Sequence, residues 1–354
     1  MQTKHFLSLS FQPNLMELKL HPYLLQLAHP FRISREAHDD QQTLIVSLHH
    51  GTHTGYGEAT ANPYYQSSIA QMTEQINGLK AQIESWDGQD IDWFDQMLQR
   101  SELGSFARCA LDLAAHDLWG KLRGAPLWQL WGTALDQYPT TNYTIGIDEV
   151  PVMLAKMAEK PWPIYKIKLG TDRDIEIVRA LRAQTDAVFR VDANCAWTPE
   201  QTVENARQLK ELGVQFIEQP LPADDWTGMS YVRAHSVLPI IADESCLVES
   251  DVARCAEYFH GINIKLTKCG GLAPARRMIV QAKALGLQLM VGCMTESTVG
   301  ISAIAQLLPQ LDYVDMDGAL LLASDIASGI FIDEQAQVHW PDLGGSGVVL
   351  LAEK

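Results

Sequence analysis

Three runs decide how this chain folds: Phe189-Arg190-Val191-Asp192-Ala193-Asn194, Phe216-Ile217-Glu218-Gln219-Pro220 and Ile240-Ile241-Ala242-Asp243-Glu244. Each is a short apolar stretch of buried-strand length that ends in a carboxylate. Asp192, Glu218 and Asp243 stand 26 and 25 residues apart, a spacing that suits successive β-α units of a parallel sheet. It sets three acids side by side at the C-terminal ends of neighbouring strands. Repelling carboxylates gathered there call for a cation, and hard oxygen ligands suit Mg²⁺.

Outward from these runs the chain alternates strand and helix from about residue 140. Strands are expected at 143–147, 164–169, 188–192, 216–218, 240–243, 262–265, 287–292 and 313–315, with helical patterns between them. One helix is expected over 198–212, with Pro199 at its first position. From Lys168 the polar strand ends fall at Asp192, Glu218, Asp243 and Lys265. An open doubly wound sheet shows similar steps but does not usually put chemistry on so many consecutive strands. A closed α/β barrel of the TIM type does.

Upstream the period changes. Met16, Leu18 and Leu20 alternate with Glu17 and Lys19, a half-buried strand. Residues 43–48 form a second strand candidate, and Gly55-Tyr56-Gly57-Glu58-Ala59 reads as a glycine-rich turn. Residues 30–35 read as a loop, as do His49, His50 and His53, which are given a surface role. Ile69, Met72, Ile76 and Leu79 share one helical face, as do Ala107, Ala110, Leu111, Ala114 and Leu118. The expected organisation is an α+β domain over 1–125, a barrel over 140–325 and a tail over 326–354 that returns to the first domain.

A formal net charge of -16 argues against nucleic-acid or anionic-membrane surfaces as partners. No apolar run spans a bilayer and no secretory signal is visible. None of the six cysteines forms a C-x-x-C pair. A reduced, soluble, cytoplasmic protein is expected. No Walker-A, G-x-G-x-x-G or H-E-x-x-H pattern occurs.

Lys166 and Lys168 share a strand face, while Tyr165, Ile167 and Leu169 take the other. Two lysines are thus aimed into the barrel, where they are costly unless used or paired. Lys265 should stand across the barrel from Lys168, with the three acids between them. A metal flanked by two opposed ammonium groups is an apparatus for moving a proton from one face of a carbon to the other, provided burial and nearby cations lower the lysine pKa values. Asn194, Gln219 and Glu244 follow the acids and read either as their supports or as ordinary loop polarity. Asp315 and Asp317 share a face and read either as turn-capping residues or as a site for a cationic group. Glu296 either pairs with a lysine or starts the next helix. Cys293 has no histidine near it in the sequence pattern and reads as lining.

Together Gly55–Ala59, Ala110-Leu-Asp-Leu-Ala-Ala-His-Asp-Leu-Trp119, Lys166-Ile-Lys168, Asp192-Ala-Asn194, Ile217-Glu-Gln-Pro220, Ala242-Asp-Glu244 and Asn263-Ile-Lys265 resemble the enolase superfamily, in its muconate-lactonizing-enzyme subgroup. The resemblance covers nearly the whole length. It implies a (β/α)₇β barrel under an α+β capping domain. Asp192, Glu218 and Asp243 would hold one Mg²⁺, and Lys168 and Lys265 would form the acid/base pair with Lys166 assisting. The shared step is removal of the proton α to a carboxylate, through a metal-stabilised enediolate.

Within the subgroup, Gly292-Cys-Met-Thr-Glu-Ser297 and Asp315-Met-Asp317 are most similar to dipeptide epimerases of the L-Ala-D/L-Glu type. The resemblance implies that Asp315 and Asp317 hold a substrate α-ammonium, and that Thr144, Cys293 and Met294 lie beside the substrate. Asn194, Glu244 and Glu296 would support the site. The expected partner is a small dipeptide, and the expected assembly a homo-oligomer. Segments 30–35 and 51–55 should reach the substrate. Arg35 would bind an acidic side chain, whereas Glu36, Asp39 and Asp40 would favour a cationic one. The alternatives are an N-acylamino acid racemase, an o-succinylbenzoate synthase, a muconate cycloisomerase, or a barrel that binds without catalysing.

Overall fold

The computed structural model describes residues 16–32 and 37–352. Arg35 and Glu36 lie outside the described residues. The N-terminal part is an antiparallel sheet of β1 (Glu17–Arg32), β2 (Ala37–His50) and β3 (His53–Thr60), followed by helices α1 (Ile69–Gly78), α2 (Lys80–Glu84), α3 (Ile91–Arg100) and α4 (Ser105–Arg123). Helix α4 is buried along almost its whole length. Its neighbour β3 can approach only because of two glycines: a Cβ at Gly55 would lie 2.2 Å from Ala114 O, and one at Gly57 2.1 Å from Ala110 O. Such contact of backbone on backbone excludes any larger residue.

The remainder forms a parallel eight-stranded sheet in strict chain order: β4 (Tyr143–Ile145), β5 (Ile164–Lys168), β6 (Val188–Asp192), β7 (Val214–Glu218), β8 (Ile240–Ala242), β9 (Gly261–Lys265), β10 (Gln288–Gly292) and β11 (Tyr313–Asp315). A parallel bridge from Thr141 to Val314 brings the first and last strands together. The eight strands expected from the alternation all form, with a helix after each of the first seven. The helix after β6 spans Pro199–Glu211 and starts on a Thr198–Gln201 capping box with proline in its first turn, which satisfies the orphan amides there. The strands are buried on both faces, as in other all-parallel sheets. The floor of the barrel interior is Phe216, Ile241 and Met290, with Tyr313 packed against them.

Three expectations change in the N-terminal sheet, the first being that Gly55–Ala59 lies within strand β3 and not in a turn. Residues 30–32 belong to β1, because the register between β1 and β2 jumps from Gln26↔Asp40 to Phe31↔His38. The bulge takes up Pro30, which has no amide to give to a ladder. It also lays the hairpin on the barrel mouth: Leu27 bridges Leu322, and Ile147 N donates to Arg32 O at 2.9 Å. His49, His50 and His53 end β2 and open β3 rather than lying in a loop. Among the described residues no helix is long and apolar enough to cross a membrane.

Candidate active site

The C-terminal ends of the barrel strands and the edge of the N-terminal sheet enclose one cavity. Its floor holds Lys166, Lys168, Asp243 and Lys265; its sides hold Thr144, Cys293, Asp315 and Asp317. The strand period explains this convergence. Lys166 and Lys168 on β5, Arg190 and Asp192 on β6, Asn263 and Lys265 on β9 are each two residues apart, so each pair faces inward.

The three acids share a plan. Each commits one oxygen to a fixed donor and turns the other inward. Asp192 Oδ1 accepts from Asn194 N at 2.9 Å, and Oδ2 lies 2.7 Å from Lys168 Nζ and 3.2 Å from Lys166 Nζ. Glu218 Oε1 accepts from Asn263 Nδ2 at 2.8 Å, and Oε2 lies 2.8 Å from Lys166 Nζ. Asp243 Oδ1 accepts from Lys268 Nζ at 2.5 Å, and Oδ2 lies 2.9 Å from Lys265 Nζ. Ligand oxygens from the three acids lie within 4.8 Å of one another. A hard cation with metal–oxygen bonds of about 2.1 Å needs oxygens within about 4.2 Å across an octahedron, so a small closure of the cluster meets it. Glu218 Oε2 is buried and receives no directed hydrogen bond. The donor set and this oxygen fit Mg²⁺.

The electrostatics reflect crowding. Burial, with Asp192 and Asp243 adding to it, pushes the Glu218 carboxyl up to about 7 against the pull of Lys166. Burial also opposes ionisation of Asp243, but Lys265 and Lys268 hold it well below the usual carboxylate range. Burial disfavours the ammonium of Lys166 and of Lys265, yet the surrounding acids, Asp315 and Asp243 foremost, hold both above the usual lysine range. At Lys265, one of the opposed pair, the expected lowering is therefore not met, because close carboxylates outweigh desolvation.

Other expected residues fall as follows. Asp315 Oδ2 accepts from Lys166 Nζ at 2.8 Å and Oδ1 from Asn142 Nδ2 at 2.7 Å. Asp317 Oδ2 accepts from Thr144 N at 2.5 Å, while Oδ1 faces Cys293 Sγ at 4.0 Å. Burial and the neighbouring Asp315 raise Asp317 well above the usual range. Cys293, Met294, Asn194 and Glu244 line the cavity. Glu296 takes a hydrogen bond from Met294 N at 3.0 Å just ahead of the helix Thr298–Ala305, and of its two readings the pairing with a lysine forms no ion pair among the described residues. Residues 51–55 do not reach the cavity. They turn at the end of β2 and β3, and Asn62, Tyr64 and Tyr65, beyond the other end of β3, line it instead, with Phe31, His38 and Gln41.

Of its two readings Gln219 takes that of a support, whereas Lys268, Arg190 and Asn142 are supports that the sequence reading leaves unassigned. Gln219 Oε1 accepts from Asp243 N at 2.9 Å and Ser245 N at 3.1 Å, which fixes the turn that carries Asp243. Lys268 is saturated by Asp243 O, Cys246 O and Asn263 O in addition to the carboxylate. Arg190 and Asn142 lie just below Asp315. Arg190 did leave a signal, since it precedes Asp192 by two on the same face.

Comparison with known proteins agrees with this architecture. Residues 16–132 match the model of the mandelate racemase / muconate lactonizing enzyme N-terminal domain, and residues 151–354 match that of the enolase C-terminal domain-like family. A Maribacter protein named L-Ala-D/L-amino acid epimerase is 64% identical over 95% of this chain and 99% of its own. A Flavobacterium johnsoniae protein of the same name is 54% identical over 95% and 100%. The structure of a dipeptide epimerase from Enterococcus faecalis, complexed with Mg and L-Leu-L-Tyr, superposes with a TM-score of 0.88 at 29% identity, over 95% of this chain and 99% of that one. The chain belongs to the mandelate racemase / muconate lactonizing enzyme family of the enolase superfamily.

Proposed function

We propose that this protein is a Mg²⁺-dependent dipeptide epimerase. The observation that carries the reading is the pair of lysines, Lys168 and Lys265, on strands β5 and β9 of one barrel, with the three-acid cluster between them. Epimerase relatives at 64% and 54% identity support it.

In this reading Asp192, Glu218 and Asp243 hold Mg²⁺, which when bound supplies a Lewis acid for the negative charge that develops on the substrate carboxylate. Lys168 and Lys265 stand on either side of this acid cluster and are the groups that exchange protons with the substrate. The α-carbon of the C-terminal residue lies between them. One lysine takes its proton and the other returns a proton to the opposite face, so the centre inverts. Lys166, among Asp192, Glu218 and Asp315, adds positive charge at the floor. Asp317 presents Oδ1 toward the cavity and receives the free amino group of the dipeptide, beside Thr144, Cys293 and Met294. Asp315 is occupied by Lys166 and Asn142, so it acts mainly through them.

The test is a dipeptide library incubated in D₂O with Mg²⁺ and read by mass spectrometry. One deuterium should enter at the α-carbon of the C-terminal residue, with loss of configuration. An absence of exchange for every dipeptide would remove the proposal.

A further inference from the structure

Beneath the reaction centre a charged side chain occupies the barrel interior without touching the cavity. Arg190 is 3% exposed. Its Nη1 donates to Val314 O at 3.0 Å and to Asn142 Oδ1 at 3.3 Å, its Nε donates to Gln215 Oε1 at 2.9 Å, and the guanidinium stands over the rings of Phe216 and Tyr313. Asn142, fully buried, donates Nδ2 to Asp315 Oδ1 at 2.7 Å. Asp315 Oδ2 accepts from Lys166 Nζ, which in turn lies 2.8 Å from Glu218 and 3.2 Å from Asp192.

The chemistry of this chain of contacts is directional. A guanidinium has only donors, and a carboxylate only acceptors. A side-chain amide placed between them satisfies both in one orientation alone, with its oxygen on the arginine and its nitrogen on the acid. Turned over, it would set N–H groups against Arg190 and a carbonyl against Asp315. In a buried site either mismatch strands polar groups without partners. Asn142 is thus locked by Arg190 and in turn locks the carboxylate of Asp315.

We propose that Arg190 is a positioning residue that acts through the amide of Asn142 to fix Asp315, and with it the Lys166 ammonium between Asp192 and Glu218. It spans the place where the first and last strands of the barrel meet, so it ties closure of the barrel to the geometry of the reaction centre. The inference rests on the assignment of Lys166, Asp192 and Glu218 to that centre.

The experiment compares the wild type with Arg190→Met, Arg190→Lys, Asn142→Leu and the Arg190→Met/Asn142→Leu double variant. Asn142→Leu leaves the Arg190 bonds to Val314 and Gln215 in place, so it stays informative if Arg190→Met does not fold. Steady-state epimerisation, Mg²⁺ affinity by calorimetry and the melting temperature are measured on each. Arg190→Met and Asn142→Leu should each lower kcat at least tenfold, with KM and the Mg²⁺ dissociation constant within about threefold of wild type. Arg190→Lys, which keeps a donor for Asn142 Oδ1, should recover most of that loss. The double variant should be no slower than the slower single one. The proposal is overturned if Asn142→Leu leaves kcat unchanged, if the two losses multiply in the double variant, or if only the melting temperature moves. A wild type that exchanges no dipeptide α-proton would instead refute the functional reading itself.

Discussion

At the scale of single residues, the two lysines make the sharpest claim. Each stands beside a different acid, Lys168 beside Asp192 and Lys265 beside Asp243, and in the proposed mechanism they would serve opposite faces of the substrate carbon. Lys168→Ala and Lys265→Ala should each reduce epimerisation by roughly 10²–10⁴-fold, the usual reach of a positioned acid or base. Each variant should still exchange the α-proton of one enantiomer in D₂O, and the retained enantiomer should differ between them. Retention of the same enantiomer by both variants would contradict two-base transfer. Asp317 makes a second claim. Asp317→Ala should abolish turnover of free dipeptides, and unchanged kinetics would count against its contact with the ammonium. These acids and lysines were legible because a period of two, read with apolar neighbours on alternate positions, fixes which side chains face inward. Asn142 and Lys268 were not. Their roles depend on which strands become neighbours when the barrel closes, and on the short helix Leu266–Cys269 that sets Lys268 against Asp243. Neither leaves a pattern in the local sequence.

Among the elements, the loop after β10 deserves a pH test. Glu58 of β3 receives Ser297 N and Oγ, Gly300 N and Thr43 Oγ1, and so caps the helix Thr298–Ala305 from across the cap–barrel boundary. Sequence alone read Gly55–Ala59 as a turn. The alternation there is hidden by glycines that exist for contact with α4, and Glu58 finds its partner Ser297 239 residues away. Glu296 lies close enough to feel this carboxylate. Burial first, then Glu58, pushes it up to about 8. A carboxyl raised on folding adds stability that is complete below its unfolded value near 4.5 and is lost as pH rises through about 8. Glu296→Gln cannot ionise, so between those limits its stability should fall less steeply with pH than that of the wild type. Melting temperatures recorded across that range check the slope, and parallel curves would show that Glu296 does not titrate in it.

For the whole molecule the question is whether cap and barrel are energetically one body. A chain of this length ordinarily unfolds in more than one step. Here three buried acids of the N-terminal part are spent on the rest of the chain. Glu58 caps the helix Thr298–Ala305. Asp112 on α4 accepts from Leu272 N at 2.5 Å at the start of the helix Leu272–Ala284, where Gly271, at φ 121°, allows the approach. Asp117 accepts from Ser346 N and Oγ, each at 2.9 Å, in the returning tail. Cys109 and Leu113 of α4 also pack in the barrel's own apolar cluster. Unfolding either part first would bare these acids' partners and the α4 surface together, so the two should melt as a single calorimetric transition. Glu58→Ala removes a cap and strands buried donors, at a cost of roughly 3 kcal/mol. Because that cost falls on the shared boundary, it should lower the one transition by several degrees without splitting it. Two resolved peaks in the wild type would show that the buried acids hold the parts in register without making them cooperative. A split only in Glu58→Ala would show that this one carboxylate carries the coupling.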